Sequence, residues 1–406
     1  MASLDTPARS GQGSSERNIL ARLWYDKEAR GIILQILTLA GLMAFIAYIT
    51  SNAIANLELL GKTFSFDFLF EPAHYDINQH LIPYTSTSTH LRAGIVGILN
   101  TLLVAVCGII LATILGFIFG VLRLSPNWLV SKMVYSFVEF TRNVPVLLHI
   151  LLIHGIVVHA MPLPRVAKES ANFADLVFFT NRGVFIPAPL PEAAFKWVAA
   201  ALVLAIGFIF FFRRWAKARQ DATGQHLPVF WICAGVFIGL PLLTYLALGA
   251  PLNWDVPELK GFNFRGGMVM RPEFLALWLA LSLYTSAFIA EIVRAGILAV
   301  SKGQWEASSA LGVSRSRTLN LIIIPQALRV IVPPLTSQYL NLTKNSSLAI
   351  AIGYMDVVAT LGGISLMQTG KEMETMILVI LFYLIVSLTI SAFMNWYNRR
   401  IKLVER

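Results

Sequence analysis

Eight stretches of the chain are apolar over lengths that cross a bilayer: about 31–51, 93–122, 131–160, 194–212, 229–249, 273–298, 321–343 and 373–397. About 20 apolar residues in a helix cover the hydrocarbon core, where the backbone must satisfy its own hydrogen bonds. The pattern predicts an all-α integral membrane fold with about eight transmembrane helices. Between the spans lie a polar tail, 1–30, and a loop, 52–92. A Pro-rich loop, 161–193 (Pro162, Pro164, Pro187, Pro189, Pro191), reads as extended or turn structure, and 250–272 forms another loop. The first span has small residues after it, Ala53 and Ala55, as a cleaved signal peptide would. Its apolar core is too long and its leader too polar for that reading, so it is expected to stay as a span.

Composition narrows the class. Residues AVILMFWYC make up 56% of 406 and charged residues 13%, against roughly 25% charged in a soluble domain. A soluble enzyme, a disordered chain, a collagen and a coiled coil are excluded together. The net charge of +10 does not point to nucleic acid, because the cations form no single stripe. They cluster at the ends of apolar runs: Arg9, Arg17, Arg22, Lys27 and Arg30; Arg213, Arg214, Lys217 and Arg219; Arg399, Arg400, Lys402 and Arg406. An even number of spans puts these clusters on one side, which the positive-inside tendency makes the cytoplasm. Both termini are then expected inside. Loops 52–92 (Lys62, Arg92), 161–193 and 250–272 fall outside, the last two with scattered cations (Arg165, Lys168, Arg182, Lys260, Arg265, Arg271). Cys107 and Cys233 lie inside apolar runs, which argues against a disulfide or a thiolate metal site. No 20–50-residue repeat is visible.

One loop on the inner side carries an unusual pattern, Gly303-Gln304-Trp305-Glu306-Ala307-Ser308-Ser309-Ala310-Leu311-Gly312-Val313-Ser314-Arg315-Ser316-Arg317-Thr318, leading into Leu321-Ile322-Ile323-Ile324-Pro325. Residues 306–311 favour a short helix. Gly312 permits a sharp reversal that a Cβ would hinder. A second short stretch carries Arg315 and Arg317. Pro325 falls near the start of the next span, where a missing N–H is tolerated. A helix–Gly–helix hairpin of this kind is a knob suited to a groove on a partner.

The segment resembles the E-A-A-x3-G-x9-I-x-L-P loop of ABC importer permeases. Glu306, Ala307, Gly312, Ile322 and Pro325 match in spacing, while Ser308 stands for the second Ala and Ile324 for Leu. Further matches point to the polar amino acid (histidine/glutamine-type) permeases: Asn100-Thr101-Leu102; Phe137-Val138-Glu139-Phe140-Thr141-Arg142-Asn143-Val144-Pro145; Tyr284 to Gly296; and Lys344-Asn345-Ser346-Ser347-Leu348 with Ile352-Gly353 and Asp356. The resemblance implies a five-helix type I ABC importer permease core, split into 93–160 and 272–406, with 303–325 as the coupling loop. The first span with its outer loop (31–92) and an insertion with two extra spans (161–271) resemble the larger permeases of general L-amino acid importers. It further implies a bacterial inner-membrane subunit with a cytoplasmic ATPase dimer, a second permease subunit (a paralogue, giving a heterodimer) and a periplasmic amino-acid-binding protein. In the family the loop docks into the ATPase, which assigns Glu306, Ala307, Gly312, Arg315 and Arg317 to coupling. The chain carries no phosphate-cradling G-x-x-x-x-G-K-[ST] loop. The decoy Gly363…Gly370-Lys371-Glu372 has the wrong spacing and no hydroxyl after the Lys. No cofactor is expected on this chain; ATP and Mg belong to the partner ATPase.

Charges inside spans are costly and tend to face a bundle interior or a cavity. Glu139 and Arg142, and Glu291 and Arg294, stand three apart and share helix faces. Each pair either neutralises itself and ties helices together or lines and gates the lower pathway. His149, His154 and His159 turn about 140° per step and do not share a face, so packing is the expected role. Gly116 and Gly120 form a close-packing G-x-x-x-G. Asn100, Thr101, Ser282, Tyr284, Thr285, Ser286, Asn341, Thr343, Asn345 and Ser346 are the polar groups in or beside the core spans. A patch of Tyr284, Thr285 and Ser286 with Asn341, Thr343 and Asn345 is the candidate substrate path. A back-bond to the helix itself is the plainer fate of each Ser or Thr. The rival reading, a secondary amino acid transporter working without an ATPase, would need buried acidic ion sites and no such loop. A membrane-bound enzyme has no nucleophile–base or metal-ligand set to support it.

Overall fold

The computed structural model describes residues 27–59, 61 and 64–401. Arg9, Arg17, Arg22, Lys62, Lys402 and Arg406, which enter the charge argument, lie outside the described residues. The chain divides into two units, residues 1–68 and 69–406. In the first, helix α1 (Lys27–Leu59) is apolar through its middle, with charged and polar residues at its ends, and is longer than the expected 31–51. Its Ile36, Leu39 and Phe45 are exposed, as lipid-facing side chains are.

The second unit opens with a loop, 71–89, that folds back on the start of α2 (His90–Leu122). Ala73, Ile77 and Tyr84 there pack on Ala93 and Val96. Next come α3 (Trp128–Asn143) and α4 (Val146–Gly155), the latter continued by a π-helical turn at Ile156–Ala160. The expected single span 131–160 is not one continuous helix. The two pieces meet at 107°. Val144 and Pro145 are both extended (φ −102°, ψ 134°; φ −56°, ψ 138°). Proline supplies no N–H to the ladder and disfavours a helical residue before it, so the chain breaks outright there.

The insertion begins with α5 (Pro164–Ser170) and strands β1 (Asn172–Phe173), β2 (Val177–Thr180), β3 (Gly183–Ile186) and β4 (Ala188–Pro191). Helices α6 (Phe195–Thr223) and α7 (Val229–Ala247) form an antiparallel hairpin, followed by β5 (Leu252–Asp255), β6 (Glu258–Lys260), β7 (Asn263–Arg265) and β8 (Met268–Met270). The strands assemble as β1-β2-β3-β8, β4-β5 and β6-β7, all antiparallel. Phe178 stacks on Phe264 at 4.2 Å, which ties the first sheet to the third. Pairing of 183–191 with 252–270 puts both insertion loops on one side of the hairpin, as the even span count requires. The Nε of Arg271 donates to the Asn78 carbonyl at 3.0 Å, which adds loop 71–89 to that side, hereafter the cap side. Helix α6 runs 11 residues past the expected 212, so Arg213, Arg214, Lys217 and Arg219 sit on helix rather than loop.

The core closes with α8 (Pro272–Leu298), α9 (Lys302–Ala310), α10 (Arg315–Thr318), a π-helical stretch (Leu319–Ile323), α11 (Ile324–Asn345), short turns through 346–365, α12 (Leu366–Thr369) and α13 (Glu372–Ile401). Among the described residues, seven helices are long and apolar enough to span a membrane, eight if the bent pair counts as one span. Helices α2 and α8 run parallel in close contact. A Cβ on Gly116 would meet Ile289 at 2.5 Å, and one on Gly120 would meet Val293 at 2.7 Å and the Ala290 carbonyl at 2.8 Å. The small-residue pattern therefore sets a backbone approach that no larger residue allows.

Candidate functional site

The 303–325 segment folds as the expected hairpin, on the side opposite the cap. The Ser301 hydroxyl caps α9 by accepting from the Gly303 N–H. The helix ends at Leu311, and Gly312 takes φ +70°. Gly312 N–H donates to the Ser309 carbonyl at 3.0 Å and Val313 N–H to the Ser308 carbonyl at 3.0 Å. Only glycine enters this left-handed position without strain. Trp305 packs on the core, and Ser308 and Thr318 are buried. Glu306, Ala307, Gly312, Arg315 and Arg317 are all exposed. The hairpin thus has an anchored side and a free side, and the motif residues lie on the free one. The Ser308 hydroxyl is buried with no hydrogen-bond partner among the described residues.

Above the knob, the two expected ion pairs merge into one cluster. Arg294 holds Glu291 at 2.6 Å, and Arg142 stands 3.8 Å from Glu139. Arg123, at the end of α2, reaches both carboxylates: 3.4 Å to Glu139 and in direct contact with Glu291. Its side chain is only 10% exposed and lies over the Tyr135 ring. Three helices, α2, α3 and α8, are tied at one point. Sequence spacing could not find Arg123, because its partners are 16 and 168 residues away. Its place at the end of an apolar run was the only signal.

The polar patch is arranged less simply. Leu342 and Ser282 both approach Gly108 of α2, so the α8 and α11 sets lie at one depth. No hydrogen bond joins them among the described residues. Thr285 and Ser286 are buried, and the Ser286 hydroxyl donates to its own helix at the Leu283 carbonyl (2.7 Å). Thr343 likewise donates to the Tyr339 carbonyl at 2.8 Å. Tyr284 is half-buried between His149 and Phe288, with ring centroids 5.7 and 5.1 Å apart. Asn341 is exposed and Asn345 half-buried. The exposed residues of α11 are Ile324, Val330, Pro333, Pro334 and, toward its end, the polar Ser337, Asn341 and Lys344. The last three recur at helical spacing, a polar stripe on a spanning helix. Ser337 and Lys344 were not singled out from the sequence as site residues.

Asn100 and Thr101 serve a different end. The Asn100 amide donates to the carbonyls of Gln79 (2.8 Å) and Met355 (2.9 Å), and the Thr101 hydroxyl accepts from Val357 N–H at 3.1 Å. The Tyr354 hydroxyl donates to the Asn100 carbonyl at 3.0 Å. They pin the irregular 346–365 segment to α2 and satisfy backbone groups that a regular helix would satisfy itself.

Residues 222–403 match the family described as binding-protein-dependent transport system inner membrane component. The chain is 47% identical over 403 residues to the general L-amino acid transport system permease protein AapQ of Rhizobium johnstonii, covering 99% of each. It is 49% identical over 377 residues to the putative amino-acid ABC transporter permease protein YhdX of Escherichia coli, covering 93% of this chain and 95% of that one. To the glutamate/glutamine/aspartate/asparagine transport system permease protein BztB of Rhodobacter capsulatus it is 49% identical over 416 residues, 95% of this chain and 97% of that one.

Proposed function

The chain belongs to the family of binding-protein-dependent transport system inner membrane components and is a multi-pass permease subunit of an ABC importer for amino acids; from that premise we propose that residues 303–325 are the element through which a separate ATPase drives it. The observation that carries the reading is the two-sided hairpin. Trp305, Ser308 and Thr318 fix it to the core, and Glu306, Ala307, Gly312, Arg315 and Arg317 face outward, exposed among the described residues. The knob side is then the cytoplasm, and both termini lie there. The cap side faces the periplasm of a bacterium and the substrate-delivering binding protein. ATP and Mg²⁺ bind the ATPase dimer, and this chain carries no cofactor and does no covalent chemistry.

The pore forms between this chain and a second permease subunit, a paralogue. The exposed α11 stripe supports that arrangement, since an amide and an ammonium facing hydrocarbon would each cost several kcal/mol. Water or the partner subunit relieves them. Asn341, with the half-buried Tyr284 and Asn345 at the same depth and the buried Thr285, Ser286 and Thr343 behind them, forms the wall that an L-amino acid passes. Glu139, Arg142, Glu291 and Arg294, gathered by Arg123, close the cytoplasmic end. Opening that end separates α3 from α8 and exchanges ion-pair partners.

The test is substitution on the free face of the knob in the reconstituted complex. Glu306→Lys and Gly312→Asp should leave the chain in the membrane, yet ATP hydrolysis should lose its stimulation by loaded binding protein, or the ATPase should dissociate. Stimulated hydrolysis with full amino acid uptake in both variants would overturn the assignment.

A further inference from the structure

The cap holds a cavity of about 550 Å³ where the insertion meets the start of α8. Arg182, Arg265, Arg271, Glu273, Asn181 and Asn263 line it. Its floor is the first turn of α8: Arg271 is the N-cap residue and Pro272 the first helical one, so free N–H groups and the positive end of the helix lie there. One wall is the Gly266-Gly267 turn. Both glycines are left-handed, at φ +80° and +65°. A Cβ on Gly267 would meet the Ile186 carbonyl at 2.5 Å, so this wall cannot carry a side chain there. The Gly267 N–H is held at 2.8 Å by Asp255, which is thereby occupied.

The charges that remain are not paired with each other. Arg182 donates to the Phe262 carbonyl at 3.2 Å and Arg271 to the Asn78 carbonyl, each through a single N–H, which leaves the rest of the fork available. The side chains of Arg265 and Glu273 have no hydrogen bond or ion pair among the described residues. Three guanidinium groups and one carboxylate therefore surround the space. A ligand that complements them brings two or more anionic groups for the arginines and one cationic group for the carboxylate. Arginine forks suit carboxylates in particular. The volume falls within the usual range for small-molecule sites, roughly 300–1,000 Å³.

We propose that this cavity binds a dicarboxylic α-amino acid, with its two carboxylates on Arg182, Arg265 and Arg271 and its ammonium on Glu273. The site lies in the insertion and at the cap end of α8, apart from the α11 stripe. That it meets external substrate rests on the periplasmic assignment of the cap. It is a holding site outside the pore, loaded with free amino acid without the binding protein.

The experiment measures equilibrium binding of radiolabelled L-glutamate to the complete permease–ATPase complex in lipid nanodiscs, without binding protein. Saturable binding is expected, displaced by L-aspartate and not by L-leucine. Arg265→Glu should weaken it by about tenfold or more, the loss of a charge-assisted bond. Glu273→Gln should weaken glutamate but spare glutarate, which lacks the ammonium. Absence of saturable binding, or glutamate binding unchanged in both variants, overturns the proposal. So does Arg265→Glu abolishing stimulation by the binding protein while free glutamate never binds, which would make the cap a protein-docking face. Stimulation of wild-type ATP hydrolysis by loaded binding protein, measured in the same nanodiscs, reports on the permease reading separately.

Discussion

Arg123 offers the sharpest test of the ion cluster. Arg123→Ala removes the group that joins Glu139 and Glu291 across three helices. Deleting one partner of a buried ion pair costs about 3–5 kcal/mol, whereas an exposed pair is worth about 0–1 kcal/mol. The arginine is 10% exposed and its partners 36% and 26%, and Arg142 and Arg294 remain beside them. The loss should therefore fall between those limits, at about 1–3 kcal/mol. At roughly 2–4 °C per kcal/mol, and less in a chain of this size, unfolding in detergent should drop by a few degrees. Unfolding of such a protein is irreversible, so the comparison is made at one scan rate. The cycle with Glu291→Gln isolates the contact, because the arginine should matter less once its main acceptor is neutral. Additive effects of the two substitutions, or an unfolding temperature equal to wild type in Arg123→Ala, would refute the clamp.

In a background with Cys107 and Cys233 replaced by Ser, a cysteine at Asn181 should label from outside and one at Gln220 only from inside; outside labelling at Gln220 would overturn the topology. Ser308→Ala removes a buried hydroxyl without a partner, so thermal stability should hold or rise, by up to about 1–3 kcal/mol, and a clear loss would show that the hydroxyl is bonded. Asp356, between α11 and α13, is fully buried, and burial pushes its carboxyl up to about 7 from the ordinary 3.8, against hydrogen bonds from the Ala359 and Val358 N–H groups. Because the folded state holds this proton more tightly, stability should fall as pH rises from about 4 to about 7, and Asp356→Asn should flatten that slope in a pH series of melting curves.

Long apolar runs were legible because the bilayer leaves a single solution for them, and α2, α7, α8, α11 and α13 begin and end within a few residues of expectation. The knob was legible for a different reason: Gly312 marks a left-handed turn that other residues avoid. Three features were not. The break at Pro145 lies within what the apolar pattern shows as one span, 131–160, since a lone proline permits a bend or a break, and the 107° follows from the extended Val144 beside it. The cap strands are two to four residues long, too short for an alternating pattern to show. Arg123 looked like one more cation at the end of a span. Its importance lies in partners that only the packing of α2 on α8 brings near.

Helix α8 connects these features mechanically. Its 27 residues span about 40 Å at 1.5 Å each, from the cap cavity at Arg271 to the approach to the knob. Gly116 and Gly120 of α2 leave no room for it to slide, because a methyl group there already collides. Helices α2 and α8 must then move as one body. The compliant points lie beside them. The extended pair 144–145 interrupts the helix between α3 and α4, and the π-helical stretch at 319–323 joins the knob to α11 through a poorer ladder. A displacement at the knob has to be taken up there, which would shift α3 and α11 against a fixed α2–α8 pair. Contacts that cross this boundary include the Glu139 arm of the Arg123 cluster, the packing of Phe137 on Phe119 and of Val138 on Ala287 and Ala290, and the 3.0 Å hydrogen bond between Thr113 of α2 and Tyr339 of α11. Those are the places where a closed and an open state of this chain must differ.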